Sequence, residues 1–102
     1  MTREILPNRR RGEAYSFEHD GIRYRANVSR FADGRLAEVF LDAAKADSGV
    51  GIVGRDLAVA ASLALQFGCP VETLRKALVR LSNGAAAGPL GALLDLAEGG
   101  CQ

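Results

Sequence analysis

Polar and apolar side chains alternate along the first part of the chain and then change period. From Ile22 to Arg30 every second residue is apolar up to Val28, and Ala14–His19 and Arg35–Leu41 carry the same alternation with interruptions. Period-two alternation marks half-buried strands. Asp20-Gly21 and Asp33-Gly34 separate the runs. Asp-Gly suits a two-residue type I′ turn, whose central residues both need positive φ. With two such turns Phe17 faces Tyr24, Glu18 faces Arg23, Val28 faces Val39 and Ser29 faces Glu38. That register gathers Tyr15, Phe17, Ile22, Tyr24, Ala26, Val28, Ala37, Val39 and Leu41 on one face. The other face takes Ser16, Glu18, Arg23, Arg25, Asn27, Ser29 and Glu38, interrupted by Phe31, Leu36 and Phe40. A slip of one residue would mix the two sets. The pattern predicts a three-stranded antiparallel meander.

After the strands the period becomes helical. Ala43–Gly54, with Gly49, Gly51 and Gly54, reads as a connector, and Arg55–Phe67 as a helix apolar on nearly all sides. Such a helix is normally central in a fold. Gly68 stops it, and Pro70 suits the first turn of a second helix, Val71–Ser82. That helix carries Val71, Leu74, Leu78 and Leu81 on one stripe, with Arg75, Lys76 and Arg80 outside. Asn83-Gly84 ends it, Ala85–Gly88 is a spacer, and Pro89–Glu98 is a short third helix. The fold class is therefore α+β, a three-stranded antiparallel β-meander packed against two or three α-helices. Residues 1–13 read as an extended Arg-rich arm, 14–98 as one domain and 99–102 as a flexible tail.

At 102 residues this is one core's worth of chain, folding without metal or disulfide support. A net charge of +1 exerts no global pull on nucleic acid or membrane. Eight of the arginines lie between Arg3 and Arg35, however, which predicts a local basic surface. The longest apolar stretch, Leu57–Leu65, falls short of the ~20 residues a bilayer span requires. Two distant cysteines and no signal-peptide pattern fit a reducing cytoplasm.

Candidate chemistry is sparse. His19 is the only histidine, so neither a histidine metal cluster nor a second-histidine device can be built, and a structural role beside the first turn is expected. His19, Cys69 and Cys101 match no zinc spacing, so no metal and no cofactor is expected. Cys69 precedes a predicted helix, where a dipole can activate a thiol, but a small residue at a helix corner is the simpler reading. Cys101 is a single thiol in the tail. Gly49, Gly51 and Gly54 lack the GxxxxGK[ST] phosphate-loop pattern. The best binding candidate is the outer sheet face: Arg9, Arg10, Arg23, Arg25 and Glu38 as polar contacts and Phe40 as apolar anchor. Arginine forks and aromatic anchors dominate interfaces. The alternative is an anion- or nucleic-acid-binding module using the same arginines, though sheet-based nucleic-acid readers add more exposed aromatics.

Three blocks carry a family resemblance. Leu6-Pro7-Asn8-Arg9-Arg10-Arg11-Gly12 is similar to a Leu-Pro-x-Arg-Arg-x-Gly lead-in. Asp33–Asp42 is similar to Asp-Gly-Arg-Leu-Gly-Glu-Ile-Phe-Ile-Asp, and the Ala-rich helix running into Gln66-Phe67-Gly68-Cys69-Pro70 is similar to Leu-Gln-Tyr-Gly-x-Pro. In this order they resemble the TSCPD domain at the C-terminus of adenosylcobalamin-dependent (class II) ribonucleotide reductases. The naming motif survives only as Cys69-Pro70, flanked by Gly68 and Val71. The catalytic barrel, its radical and substrate cysteines and its cobalamin surface have no counterpart here. The resemblance implies a stand-alone accessory or regulatory domain in deoxyribonucleotide synthesis, with no catalysis expected from this chain alone. It would dock on a reductase large chain or associate with itself.

Overall fold

The computed structural model describes residues 2–4, 12–44 and 48–99; Arg9, Arg10 and Cys101 lie outside them. Strands β1 (Gly12–His19), β2 (Ile22–Arg30) and β3 (Leu36–Ala43) form an antiparallel sheet in the order β1-β2-β3. Helices α1 (Gly49–Gln66), α2 (Val71–Ala77) and α3 (Pro89–Ala97) complete an α+β fold. All four expected cross-strand pairs form, from Phe17↔Tyr24 and Glu18↔Arg23 to Val28↔Val39 and Ser29↔Glu38. Phe17 and Tyr24 stack with ring centroids 5.5 Å apart. Tyr24, Ala26, Val28, Val39 and Leu41 face the core with Leu90, Leu93 and Leu94 of α3.

The first turn is type I′ in character, with Asp20 at φ 54° and Gly21 at φ 77°. The second is not the two-residue turn expected. Gly34 N donates to Phe31 O and Phe31 N to Arg35 O, so Ala32, Asp33 and Gly34 form a three-residue loop with only Gly34 left-handed. Arg30 then pairs with Leu36, and a bulge after Ser29↔Glu38 returns β3 to the expected register. The bulge turns Leu36 and Ala37 both inward, and Phe31 is buried too. Of the three aromatic or aliphatic interruptions expected on the outer face, only Phe40 remains there.

Helix α1 starts earlier than its composition implied. Ser48 caps it, its Oγ accepting from Gly51 N at 3.1 Å, so the expected glycine connector is its first two turns. Gly51, Gly54, Ala58 and Ala61 form its buried side. A Cβ on Gly54 would stand 3.8 Å from Leu41, so this small-residue side lets the helix lie close to β3. Ser62 Oγ accepts from Val39 N at 2.9 Å and donates to Val39 O at 3.0 Å. Gln66 Nε2 donates to Ala37 O at 3.1 Å. These groups point away from β2, so α1 satisfies the free edge of β3 with its own side chains, protecting an otherwise open strand. Gln66 also ties down residues 2–4: its Oε1 accepts from Arg3 Nε at 2.6 Å and its backbone carbonyl from Glu4 N at 2.6 Å.

Helix α2 is shorter than expected. Leu78 is already extended, and the chain makes a small hairpin in which Leu81 N donates to Ala85 O and Ala87 N to Val79 O. Asn83-Gly84 is therefore a hairpin turn, with Gly84 at φ 90°, rather than a helix end. Pro70 caps α2 and Val71 is its first residue. The expected spacer is partly core: Ala86 is buried, and a Cβ on Gly91 of α3 would meet the Ala86 Cβ at 3.0 Å.

Candidate docking surface

The α1 and α3 helices cover one face and one edge of the sheet and leave the other face open. Strand alternation then sends Ser16, Glu18, Arg23, Arg25 and Asn27 to solvent. Phe40 projects from β3 on this side and is 47% exposed, far more than an interior aromatic. Glu38, half-buried, sits two residues before it. Arg23, Arg25, Glu38 and Phe40 thus share one face, as the alternation predicts.

The charge on this face is interleaved rather than uniformly basic. Asp42 lies between two guanidinium groups, with Arg25 Nη2 at 3.8 Å and Arg55 Nη1 at 3.6 Å. Its Oδ1 is buried and makes no hydrogen bond among the described residues, the 3.6 Å contact being an ion pair only. Glu18 stands opposite Arg23. Arg23 and Arg25 themselves stay exposed, and pairs made by exposed guanidinium groups contribute little to stability, leaving these arginines available to a partner.

Between the open face and α1 runs a groove of about 490 Å³ lined by Asn27, Ser29, Phe40, Arg55, Val59 and Leu63 among others. Val59 and Leu63 extend the apolar contact that Phe40 begins. Sequence reasoning missed them because a helix apolar all round was taken to be central. The signal was nonetheless present: one sheet and two short helices cannot cover every side of an 18-residue helix.

His19 and Cys69 lie away from this face. His19 Nε2 is 3.0 Å from Ala87 O, and because a carbonyl only accepts, that nitrogen carries the proton. The contact pins the first turn to the 79–87 hairpin. Cys69 is half-buried, with Sγ 3.6 Å from Pro70 O, beside a groove shared with Arg35, Leu65 and Glu72. Among the described residues no group of three His, Cys, Asp or Glu side chains is placed to hold a metal ion.

Two arginines that looked solvated are structural as well. Arg80 grips Asp95 through both guanidinium nitrogens (2.6 and 2.9 Å), and Arg75 Nε reaches the same carboxylate at 2.9 Å. Hydrogen bonds from Arg80 above all, then Arg75, hold the Asp95 carboxyl below its usual range despite its burial. Arg30 is bound by Glu13 through two nitrogens, by Glu98, and by the carbonyls of Ala97 and Gly34. Its bond to Glu13 is the main reason its proton is held more tightly than usual.

The chain's sequence is similar to short stretches of proteins named vitamin B12-dependent ribonucleotide reductase. It is 37% identical over 70 residues to that of Agrobacterium fabrum and 33% over 70 residues to that of Bradyrhizobium diazoefficiens. Against the Rhodopirellula baltica protein it is 33% identical over 72 residues. These matches cover 69–71% of this chain, but the chain spans only 6–7% of the length of those relatives. No protein-family model matches it, and no solved structure does. The chain is thus related to one small portion of these reductases.

Proposed function

We propose that this chain is a TSCPD-like accessory or regulatory domain of deoxyribonucleotide synthesis that works by docking on another protein in the cytoplasm. The reading rests on one observation: Phe40, Val59 and Leu63 form an exposed apolar strip bordered by Arg55 and Glu38, with Arg25 and Arg23 further along the same sheet face. An apolar centre with a polar, arginine-containing rim is the usual anatomy of a protein interface. The similarity to part of B12-dependent ribonucleotide reductases makes a reductase large chain the first partner to test. Nothing in this reading asks the chain to perform catalysis or to hold a cofactor. Interleaved Glu18, Glu38 and Asp42 favour a protein over nucleic acid, whose phosphates want an unbroken basic track.

The test is a pull-down from native extract with mass spectrometry, followed by calorimetry with the captured chain and with Arg25→Glu and Phe40→Ala. Each substitution is expected to weaken the association at least about tenfold, roughly the effect of losing one interface anchor. If neither changes any detectable association, the docking face is wrong. If instead DNA or RNA binds with an affinity that falls steeply with salt, the nucleic-acid reading replaces it.

A further inference from the structure

Helix α1 has an apolar side that the domain itself does not cover. Val50, Ile52, Val53, Leu57, Val59, Leu63 and Phe67 are each 37–59% exposed. This helix is long and apolar enough by length and composition to cross a bilayer. Its opposite side, however, is committed to β3 through Gly51, Gly54, Ser62 and Gln66. Large uncovered apolar surface on a folded domain marks an interaction site.

The order of residues along α1 identifies the occupant. Val50, Val53, Leu57, Ala60, Ala64 and Phe67 follow one another at alternating intervals of three and four, which is the a/d seam of a coiled coil. The seam carries no charge, and its residues are exposed except for half-buried Ala64. Set against itself in antiparallel sense about a two-fold axis between residues 58 and 59, it matches large side chains with small ones. Leu57 meets Ala60, Val53 meets Ala64, and Val50 meets Phe67 of the other copy. Alternating large and small residues across facing positions is what lets two helices interdigitate, and a two-fold contact requires this self-complementarity. A lipid surface fits less well, because Asp56 lies beside the seam and no lysine or arginine cluster flanks it.

We propose that α1 is a homodimerisation helix, pairing antiparallel with α1 of a second copy of this chain. The seam spans about 27 Å, at 1.5 Å per residue. Closing it buries on the order of 1,000 Å² in total, below the area of standard stable interfaces, so the dimer is weak and concentration-dependent. The seam borders the Phe40 surface at Val59 and Leu63 but uses neither of them nor Arg25 or Phe40, so the two surfaces are tested by different substitutions.

Sedimentation velocity from about 1 μM to about 1 mM tests it, the range in which a small transient interface equilibrates. The wild-type chain is expected to pass from monomer to dimer across that range. Ala60→Glu is expected to keep it monomeric throughout, with an unchanged circular dichroism spectrum. Leu57→Ala and Ala60→Leu should each weaken the dimer at least about tenfold, since each acts twice across the axis. The double variant, which exchanges the large and small partners, should restore it. A monomer at every concentration overturns the proposal. So does a dimer indifferent to Ala60→Glu, or a double variant no tighter than its single parents. Arg25→Glu should leave the dimer unchanged; if it abolishes dimerisation, the copies meet through the sheet face and the α1 proposal falls.

Discussion

Ser62 offers the sharpest test of how this fold is held together. Its single hydroxyl serves both backbone groups of Val39 at the free edge of β3, at 2.9 and 3.0 Å, in a buried setting. Ser62→Ala keeps the helix and removes only the oxygen. It leaves an N–H and a C=O without partners, each costing ~1–3 kcal/mol when buried. Alanine returns roughly 0.5 kcal/mol through its better helix propensity. The net expected loss is about 1.5–5.5 kcal/mol, a large part of the ~5–15 kcal/mol that typically stabilises a domain. Urea unfolding followed by circular dichroism should show the midpoint falling by about 1–3 M at a slope of ~2 kcal/mol/M. Hydrogen exchange should in parallel lose protection at the Val39 amide. A loss below about 0.5 kcal/mol with Val39 still protected would refute the edge-sealing role, because that cost is no more than an ordinary surface substitution brings.

The other expectations concern α3 and its neighbours. Arg30→Ala takes the guanidinium away from Glu13 and Glu98 and from the carbonyls of Gly34 and Ala97, so it should destabilise by roughly 2–4 kcal/mol in the same unfolding assay. The pH dependence of stability should carry the mark of Asp95. Its folded-state pKa is depressed from an ordinary 3.8, so its contribution is complete above that value and is lost as pH falls through the lower folded value. Asp95→Asn should lower stability at neutral pH and flatten the decline below about pH 4 in acid titrations. Gly91→Ala should destabilise by about 1 kcal/mol or more, although alanine is the better helix former by ~1 kcal/mol, because the new Cβ meets Ala86 at 3.0 Å. A thermal midpoint at or above wild type would show that Ala86 gives way.

How far the chain could be read in advance varied with the range of the interactions. Strand register was legible because alternation and Asp20-Gly21 are local, and a slip would have exposed the core. The second turn was misread, yet its bulge compensated for the longer loop. A repeated device went unnoticed: Arg30-Phe31-Ala32-Asp33-Gly34 and Arg80-Leu81-Ser82-Asn83-Gly84 make the same turn. In both, the Asp or Asn oxygen accepts from the backbone two residues on, at 3.1 and 2.9 Å. In both, the leading arginine donates to the glycine carbonyl, then reaches an acid at the end of α3, Glu98 or Asp95. The turns could be seen in sequence; the acids they reach could not.

The amino-acid order by itself determined the three strands, their pairing and the outward aim of Arg23, Arg25 and Phe40, because side-chain alternation and turn chemistry act over a few residues. It also determined that α1 would be apolar nearly all round. Only the tertiary structure decided which side of α1 meets β3, since Gly51, Gly54, Ser62 and Gln66 become one surface only when the helix lies along that strand's open edge. That choice leaves Val53, Leu57 and Val59 facing water, and a helix with more apolar sides than its own domain can cover calls for a neighbour.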